Sequence, residues 1–475
     1  KKKKKVKLVK LLEMMMMSMM TRRTVRMKIG RRNLTTVYGS PVQTSSSDAA
    51  DMYAYVLDQY VHDRKISFDV LKRAVELDDD FVHPRCLLGL TDDSRTKEMV
   101  ELVKHSNSSY AQALNAYAEN RYEDVAEILD ETLLRRPSDL VAVKLASDVL
   151  FKAGETKNRR SIVPRVLDRW VESEPGYAQL LSIHANAMID DGDAKSAEDL
   201  AMRVLTMDPH NTSAVFAAAS SMLVQDRPRE CIRLIREFKE SLYDDDGTIL
   251  PEVEQKLAWF WALCDVEQGK YEKALRRYES YGGSTNFPLR WGLSDAVSLL
   301  MRLKLCGEDI QSHWMRLVDD VSTDVTSLSS MDRIHAVILF NETEEHEHKV
   351  HELLSTEQNE LIGDISKAIV RIKSNPEDGF HLLRKLRFQF DRIGGGSILH
   401  RDLLNWILLE SSLRSECYDH GRAILAEQIA TRPGKAQWWR FSAEILFSLG
   451  RVSEADQSYI RALDLGLGQG GADSH

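Results

Sequence analysis

The chain has 475 residues, 43% of them hydrophobic and 29% charged, which is long enough for several domains or one extended array. No apolar run approaches the roughly 18 residues of a membrane span, so we expect none. The five scattered cysteines form no CxxC pair, which excludes a zinc knuckle and argues against a disulfide framework. Only 11 prolines and 24 glycines interrupt a sequence rich in helix formers, so the composition favours helix.

The charge is distributed unevenly along the chain. Residues 1–47 contain eight Lys and five Arg against one acid, Glu13, a net charge of +12. Because the whole chain carries −9, the residues from Asp48 onward carry −21. An acidic body repels phosphate backbones, so we predict that the protein has no nucleic-acid partner.

Residues 1–47 are predicted to be a basic, disordered targeting segment outside the fold. From Met14 to Ser47 the segment has no Asp or Glu, and its arginines lie among Ser and Thr, as in a mitochondrial presequence. The initial lysine run is also typical of a nuclear import signal, and a plain basic tail is the third interpretation. We therefore expect a mitochondrial location, with the cytoplasm as the alternative.

Four stretches of the body, beginning at Glu119, Asp190, Glu267 and Ser448, share one pattern. A Gly or Asn turn comes first, and small and aromatic residues follow at fixed intervals. The matching positions are Gly192, Ala194, Ala197, Ala201, Val204 and Pro209; Gly269, Tyr271, Ala274, Tyr278 and Tyr281; and Gly450, Ala455, Tyr459 and Ala462. Further turns in the same register are predicted at Gly154 and at Asp226–Pro228.

This pattern resembles the tetratricopeptide repeat, a helix–turn–helix unit of about 34 residues. Small residues let paired helices approach closely, the aromatic fills the groove toward the next repeat, and Pro ends the unit. We therefore predict an all-α, tetratricopeptide-like solenoid, a right-handed superhelix of antiparallel helix pairs in which each repeat contacts only its neighbours. The predicted repeats span 48–285 and 351–465, with a degenerate helical linker at 286–350 and a disordered tail at 466–475.

Several stretches resemble one family in particular, tetratricopeptide repeat protein 38 and its relatives, from about Asp51 to Leu465. The strongest match is "LRFQFDRIGGGSILHRDLLNW", a basic-aromatic helix followed by a Gly-Gly-Ser turn, Arg-Asp and Asn. A second match is a Trp-x-Trp helix followed by Gly-x-Tyr, and a third is "VILFNE". The candidate binding residues drawn from these blocks are Trp259, Trp261, Arg387, Ser397, Arg401, Asp402 and Asn405. The resemblance implies a soluble, intracellular helical-repeat protein and brings no defined reaction.

The sequence departs from that family at its histidines. The positions that align with them hold Phe216, Ser220, Met222, Phe260 and Glu344. Ser, Met and Phe replace imidazole poorly on a divalent ion, so we predict neither a metal site nor another cofactor.

The glycines Gly394–Gly396 have two interpretations. A Gly-rich loop that opens a helix can bind phosphate, and Ser397 and Arg401 would lie close to it. However, the preceding segment has helical rather than strand spacing, so we favour a glycine C-cap followed by a Ser N-cap between two helices. In that interpretation Arg401 and Asp402 pair with a neighbouring repeat.

Two other clusters have structural explanations that we favour over chemical ones. His348 and His351 have metal-ligand spacing, but with His346 they fit a solvated helix start. Trp259 and Trp261 face different directions on one helix, so we expect one to pack between repeats and the other to line the concave face.

The predicted function is that of a scaffold or adaptor that binds a protein or peptide partner on its concave surface. We expect no enzymatic activity, since no nucleophile elbow, HExxH motif or Walker loop occurs. The alternative is an enzyme or small-molecule-binding protein that uses a pocket inside the superhelix.

Overall fold

The computed structural model describes residues 34–36, 38–242, 251–282, 292–321 and 328–467. Among them are 24 α-helices and one pair of two-residue antiparallel strands, β1 (Leu34–Thr35) and β2 (Pro41–Val42). The predicted all-α, tetratricopeptide-like fold class is confirmed.

The first twelve helices are α1 (Ser47–Val61), α2 (Phe68–Leu77), α3 (Val82–Thr91), α4 (Thr96–Val103), α5 (Ser109–Ala118), α6 (Tyr122–Arg135), α7 (Leu140–Ala153), α8 (Thr156–Ser161), α9 (Tyr177–Asp190), α10 (Ala194–Met207), α11 (Thr212–Val224) and α12 (Pro228–Leu242). They are followed by α13 (Pro251–Glu267), α14 (Tyr271–Arg277), α15 (Leu293–Leu305), α16 (Gln311–Asp320), α17 (Ser330–Asn341), α18 (Glu347–Thr356), α19 (Glu360–Ser374), α20 (Pro376–Leu386), α21 (Ile398–Arg414), α22 (Tyr418–Thr431), α23 (Ala436–Ser448) and α24 (Val452–Asp464).

Turns of one type join the two helices of most pairs. A residue with positive φ ends the first helix, and the next N–H donates to a carbonyl five residues back, as in a Schellman motif. The predicted turns at Gly154, Gly192, Asp226, Gly269 and Gly450 all have this geometry, as does Asn120. Because the left-handed conformation interrupts the helix at a fixed point, these residues set the register of the repeats.

The same turn also occurs where sequence reasoning did not find it. Gly307 joins α15 to α16, and Glu416, with φ of 57°, joins α21 to α22. The segment 286–350 was predicted to be a degenerate helical linker, and its described residues form a helix pair, α15 and α16, followed by α17. Glu416 lacks the usual Gly or Asn, so composition alone could not reveal that turn.

Small side chains lie at the seams between paired helices, as predicted. Ala197, Ala201 and Ala274 are fully buried, and Ala462 is buried in the last pair. Tyr278 is buried as well, but Tyr459 is 50% exposed, so the prediction that it fills an inter-repeat groove is wrong. No described helix follows α24 to cover that ring.

The chain divides into two compact units. The first contains the described residues up to Ala146 together with Ile162–Leu180, and the second contains Ser147–Ser161 together with the described residues from Leu181 onward. The division falls within two helices, α7 and α9, each of which contributes residues to both units.

The folded part of the chain begins before residue 48 and ends after residue 465, the predicted limits of the repeats. In the first unit, Val42 and Tyr38 are buried, and Thr44 donates to Asp78 over 2.5 Å, so the fold starts before residue 48. At the other end, Leu467 is buried, although the tail was predicted to start at 466. The rest of the predicted targeting segment, residues 1–33 and 37, and the tail from residue 468 lie outside the described residues.

Ala274→Leu tests the register of the repeats. The added side chain would meet a fully buried seam on α14, so we expect a loss of about 1–3 kcal/mol in the free energy of unfolding. Ala426→Leu, on the exposed face of α22, is the control and should change stability little. Denaturant unfolding of both variants is the measurement, and a wild-type result for Ala274→Leu would count against the register.

Candidate functional site

The glycine loop lies deep in the second unit. It follows a 3₁₀ segment, Arg387–Arg392, and passes between the end of α7 and the start of α17. The Gly395 N–H donates to the Phe151 carbonyl over 2.9 Å, and the Gly394 carbonyl accepts from Met331 over 3.1 Å. A Cβ at Gly394 would lie 2.0 Å from the Lys152 carbonyl oxygen. The close approach of three backbone segments therefore requires glycine here.

The backbone N–H groups at the end of the loop donate hydrogen bonds to side chains of the same chain, so they are not available to a ligand. The Ser397 N–H donates to His400 Nδ1 over 3.1 Å, and the Ile398 N–H donates to Asp190 Oδ1 over 3.3 Å. This usage supports the interpretation of the loop as a connection between helices. The predicted glycine C-cap is wrong in detail, because the 3₁₀ segment separates α20 from the glycines. The predicted Ser N-cap is correct, since Ser397 directly precedes α21.

His400 is the centre of a buried polar cluster that sequence reasoning did not select. Its Nε2 lies 2.8 Å from Asp295 Oδ1, and its ring stacks on Trp259 with centroids 4.8 Å apart. Lys256 Nζ donates to the same Asp295 oxygen over 2.8 Å and lies 4.0 Å from the Trp259 ring centroid. His335 meets the His400 ring edge-on, with centroids 5.9 Å apart.

The ionisation of this cluster follows from its contacts. Burial alone would raise the pKa of Asp295, but the charges of Lys256 and His400 outweigh burial and hold the pKa well below its usual range. Burial lowers the pKa of His400, with Asp295 opposing the shift, and burial beside His400 lowers the pKa of His335 to about 4. At neutral pH, therefore, His335 is neutral and Asp295 is ionised.

Asp402, the residue after Arg401, lies within a second buried cluster. Its carboxylate is 2.7 Å from Lys435 Nζ, 3.5 Å from Arg432 and 3.7 Å from Arg302. Burial would raise the pKa of Asp402, but these three cations together hold the pKa well below its usual range.

The same cations bind two further carboxylates. Lys435 lies 3.3 Å from Glu267, and Arg432 lies 2.7 Å from Asp226. Three cations thus face three carboxylates, and we call this set the ionic core: Asp226, Glu267, Arg302, Asp402, Arg432 and Lys435. Lys435 is only 1% exposed, and its Nζ lies 4.4 Å from the Trp438 ring centroid. A balanced charge count is what permits such burial.

Arg401 binds backbone at the edge of these clusters. Its guanidinium donates to the Asp190 carbonyl over 2.8 Å and to the Gly396 carbonyl over 3.1 Å, and it lies 3.9 Å from Asp190 Oδ1. Arg159 forms an ion pair with the Asp190 carboxylate. We predicted that Arg401 and Asp402 pair with a neighbouring repeat. Asp402 binds Lys435, 33 residues away, but Arg401 binds Asp190, which is not in a neighbouring repeat. The partners are up to 211 residues away, so the prediction that repeats contact only their neighbours is wrong for this unit.

The remaining candidate residues lie apart from these clusters. Trp261 is half-buried between Arg277 and Arg236, which lie 4.0 and 5.1 Å from its ring centroid, whereas Trp259 is fully buried. Arg387 binds Glu427 over 2.6 Å, and Asn405 is half-buried one turn after Arg401. The structure therefore brings Trp259 and Ser397 together around His400 but separates Trp261 and Arg387 from them.

The positions that hold histidine in the resembling family contain no imidazole here. The rings of Phe216 and Phe260 contact each other with centroids 5.9 Å apart, and Ser220 and Met222 are buried. Glu344 begins a short 3₁₀ segment that ends at His346. In the described part of the chain, no group of three or more His, Cys, Asp or Glu side chains is arranged to hold a metal ion.

Removing the Arg401 side chain separates the two interpretations of the loop. Arg401→Ala leaves two buried carbonyls without a donor, so we expect a lower melting temperature, equivalent to about 1–3 kcal/mol. If the loop bound phosphate through Arg401, the variant would instead keep its melting temperature and lose any stabilisation by nucleotides or sugar phosphates. We expect nucleotides and sugar phosphates to change the melting temperature of wild type and of Arg401→Ala by the same amount. Thermal melts of both proteins with and without these ligands are the measurement.

None of the described helices is long and apolar enough to cross a membrane.

Comparison with known proteins gives distant structural neighbours. The human IFIT1 dimer with PPP-AAAA is 13% identical, covering 89% of this chain and 96% of that chain, with a TM-score of 0.36. Cut9 in the APC/C heterotetramer Cut9–Hcn1 is 11% identical, covering 90% of each chain, with a TM-score of 0.35. The Naa15/Naa10 structure bound to HypK-THB is 13% identical, covering 88% of this chain and 63% of that chain, with a TM-score of 0.23. No protein-family model matches the chain.

Proposed function

We propose that the protein is a helical-repeat scaffold or adaptor that binds a protein partner. The supporting observation is a row of exposed apolar side chains at the last helix pair. We call it the C-terminal apolar face: Phe447, Val452, Tyr459, Ile460 and Leu463, each 39% exposed or more. Apolar clusters of this kind on a soluble surface mark interaction sites.

The spacing of this face indicates the partner's form. Val452, Tyr459 and Leu463 follow one another at seven and four residues, so they share one side of α24. An apolar stripe along a single helix is complementary to the apolar side of another helix. The partner is therefore a protein segment that presents an amphipathic helix.

The contact surface proposed here differs from the concave surface that the sequence favoured. Trp259, Ser397, Arg401 and Asp402 already bind groups of their own chain, so a partner would have to break buried contacts to reach them. The C-terminal apolar face needs no such rearrangement.

A matched pair of surface variants tests the proposal. Tyr459→Glu with Leu463→Glu places charges on the face, while Phe388→Glu changes an exposed aromatic elsewhere, 74% exposed on the 3₁₀ segment. We expect quantitative affinity capture from the native compartment to lose a defined partner in the double variant and keep it in the control. Equal capture by both, with unchanged melts, would contradict the proposal.

The alternative function, an enzyme, has one specific observation in its favour. Ser397 Oγ lies 2.9 Å from His400 Nδ1, and His400 Nε2 lies 2.8 Å from Asp295. This is the order of a Ser–His–Asp triad, although the two ring nitrogens are exchanged relative to the usual triad. However, Nδ1 also accepts the Ser397 N–H, so its one lone pair is shared with a helix cap. Labelling by a fluorophosphonate that disappears in Ser397→Ala would favour the enzyme, and we expect no labelling.

We also propose that residues 1–47 direct the protein to mitochondria, on the strength of their composition. A segment rich in arginine and poor in acidic residues is typical of mitochondrial presequences, which are imported across a membrane that is negative inside. A fluorescent reporter fused to these residues should co-localise with mitochondria, and the same segment with Arg22, Arg23 and Arg26 changed to Gln should not. Diffuse or nuclear fluorescence of the unchanged segment would overturn this expectation.

A further inference from the structure

The exposed apolar side of α24 carries a short pattern whose spacing is the same when read from either end of the helix. Val452, Asp456, Tyr459 and Leu463 follow one another at intervals of four, three and four residues. Such alternating intervals place side chains in one line along a helix, as the a and d positions of a heptad do. All four side chains are exposed. We call these four residues the α24 seam.

The α24 seam is distinct from the side of α24 that packs within its own chain. Ala455, Ser458 and Ala462 are buried, and Ser458 Oγ lies 3.2 Å from Ser442 Oγ on α23. Three of the four seam residues each directly follow one of these three, so the seam lies about 100° further round the helix. Residues 468–475, GQGGADSH, contain no large apolar side chain that could cover it. The seam is therefore available to a second molecule.

A two-fold axis through the middle of the α24 seam makes the seam complementary to itself. When two copies of α24 lie antiparallel about this axis, Val452 of one copy is opposite Leu463 of the other, and Asp456 is opposite Tyr459. These are the a-to-d layers of an antiparallel helix pair. Because the axis relates the two copies, every contact occurs twice, as in the isologous interface of a symmetric dimer.

Asp456 distinguishes a second copy from an unrelated apolar helix. Its carboxylate interrupts an otherwise apolar line, so an apolar helix on the seam would take the carboxylate out of water without giving it a partner. In the two-fold pair, the carboxylate lies opposite the Tyr459 hydroxyl of the other copy, a donor for which it is a suitable acceptor. The seam thus matches its own copy at both the apolar and the polar positions.

We propose that the partner on the α24 seam is a second copy of this chain, and that the two copies pair as antiparallel α24 helices about a two-fold axis. The inference rests on the proposed function, since it names the partner of the C-terminal apolar face. Ile460, 57% exposed next to the seam, adds apolar surface on both sides of the axis.

The length of α24 indicates how strong this contact is. The helix has 13 residues and is about 20 Å long. A contact between two helices of this length is at the low end of protein interfaces, below about 1,200 Å². We therefore expect a dimer that dissociates on dilution.

Sedimentation velocity of the full chain over a range of concentrations measures this equilibrium. We expect wild type to change from monomer to dimer as its concentration rises. Leu463→Glu should weaken association by about tenfold or more, since it places a charge against Val452 at two points of each dimer. Phe388→Glu, at an exposed aromatic on the 3₁₀ segment, is the control and should associate as wild type does.

A compensating pair of substitutions tests the antiparallel register. Val452→Lys alone and Leu463→Glu alone should each weaken the dimer, but the two together should restore it, because the introduced lysine of one copy lies opposite the introduced glutamate of the other. The two positions are about three turns apart on one helix, so they cannot compensate within a single chain. Val452→Lys with Leu463→Lys is the matched control and should stay monomeric.

Several outcomes would overturn the inference. Dimerisation that Leu463→Glu leaves unchanged would place the contact elsewhere, and failure of the compensating pair to restore the dimer would exclude the antiparallel register. A monomeric wild type whose Tyr459→Glu, Leu463→Glu variant still loses a captured partner would overturn the inference and leave the proposed function intact. A monomeric wild type that captures no partner through this face would contradict both.

Discussion

Replacing Asp402 with Ala should lower the free energy of unfolding by about 3–5 kcal/mol, because it leaves buried cations without their shared partner. Lys435, Arg432 and Arg302 all lie within 3.7 Å of this carboxylate, and Lys435 is 1% exposed. After the substitution the ionic core would hold three cations against two carboxylates. Denaturant unfolding of the purified variant is the measurement.

Asp364→Ala is the matched control for Asp402→Ala. Asp364 also binds a lysine, Lys367, over 3.1 Å, but both side chains are exposed on α19. Exposed pairs of this kind contribute about 0–1 kcal/mol. If the two variants lost similar stability, the ionic core would be no more important than a surface pair.

The pH dependence of the same carboxylate has a definite sign. The folded pKa of Asp402 is depressed, so its contribution to stability is complete above the unfolded pKa, about 3.9, and is lost as pH falls toward the folded value. The stability of wild type should therefore fall more steeply below about pH 4 than that of Asp402→Asn.

Replacing Gly394, Gly395 and Gly396 together with Val should have an effect of similar size, at least about 3 kcal/mol, combining overpacking and backbone strain. A Cβ at Gly394 would lie 2.0 Å from the Lys152 carbonyl oxygen, and one at Gly396 would lie 2.4 Å from Met331 Cγ. Gly395 has φ of 75°, a conformation that β-branched residues resist. We expect the second unit to melt at a markedly lower temperature.

Gly363→Ala separates the effect of the loop from the general effect of losing a glycine. Gly363 lies within α19, where a Cβ would meet only Glu357 Cγ at an ordinary 3.7 Å. This variant should be as stable as wild type or slightly more stable, because Ala favours helix. Wild-type melting of the triple Val variant would show that the loop does not need glycine.

The periodic part of the fold could be predicted from the sequence because it depends on local chemistry. Gly192, Gly269 and Gly450 mark turns, since a left-handed residue is needed at a fixed place in each pair. The turn at Gly307 was not predicted, because Gly307 is not followed by the aromatic and small residues of the pattern. Glu416 escaped because its side chain gives no sign of positive φ.

The buried clusters could not be predicted, because their pairs are distant in sequence. Arg302 within "LLMRLKL" is a charged residue between apolar ones, which indicates a buried charge but not its partner. Asp402 lies 100 residues later, and Asp226 pairs with Arg432 over a separation of 206. His400 was visible in "HRD", yet only the fold shows that Asp295 and Trp259 surround it.

The ionic core also has a consequence for the order of folding. In an ordinary repeat array, stability propagates from neighbour to neighbour, and terminal repeats can be removed one at a time. Here Asp226, Glu267 and Arg302 are made early in synthesis, but their partners Asp402, Arg432 and Lys435 emerge last. Until then the early helices carry charges that cannot be buried without a large desolvation cost. The second unit should therefore fold in one cooperative step after its C-terminal helices are complete, and truncation before Asp402 should abolish the whole unit rather than shorten it.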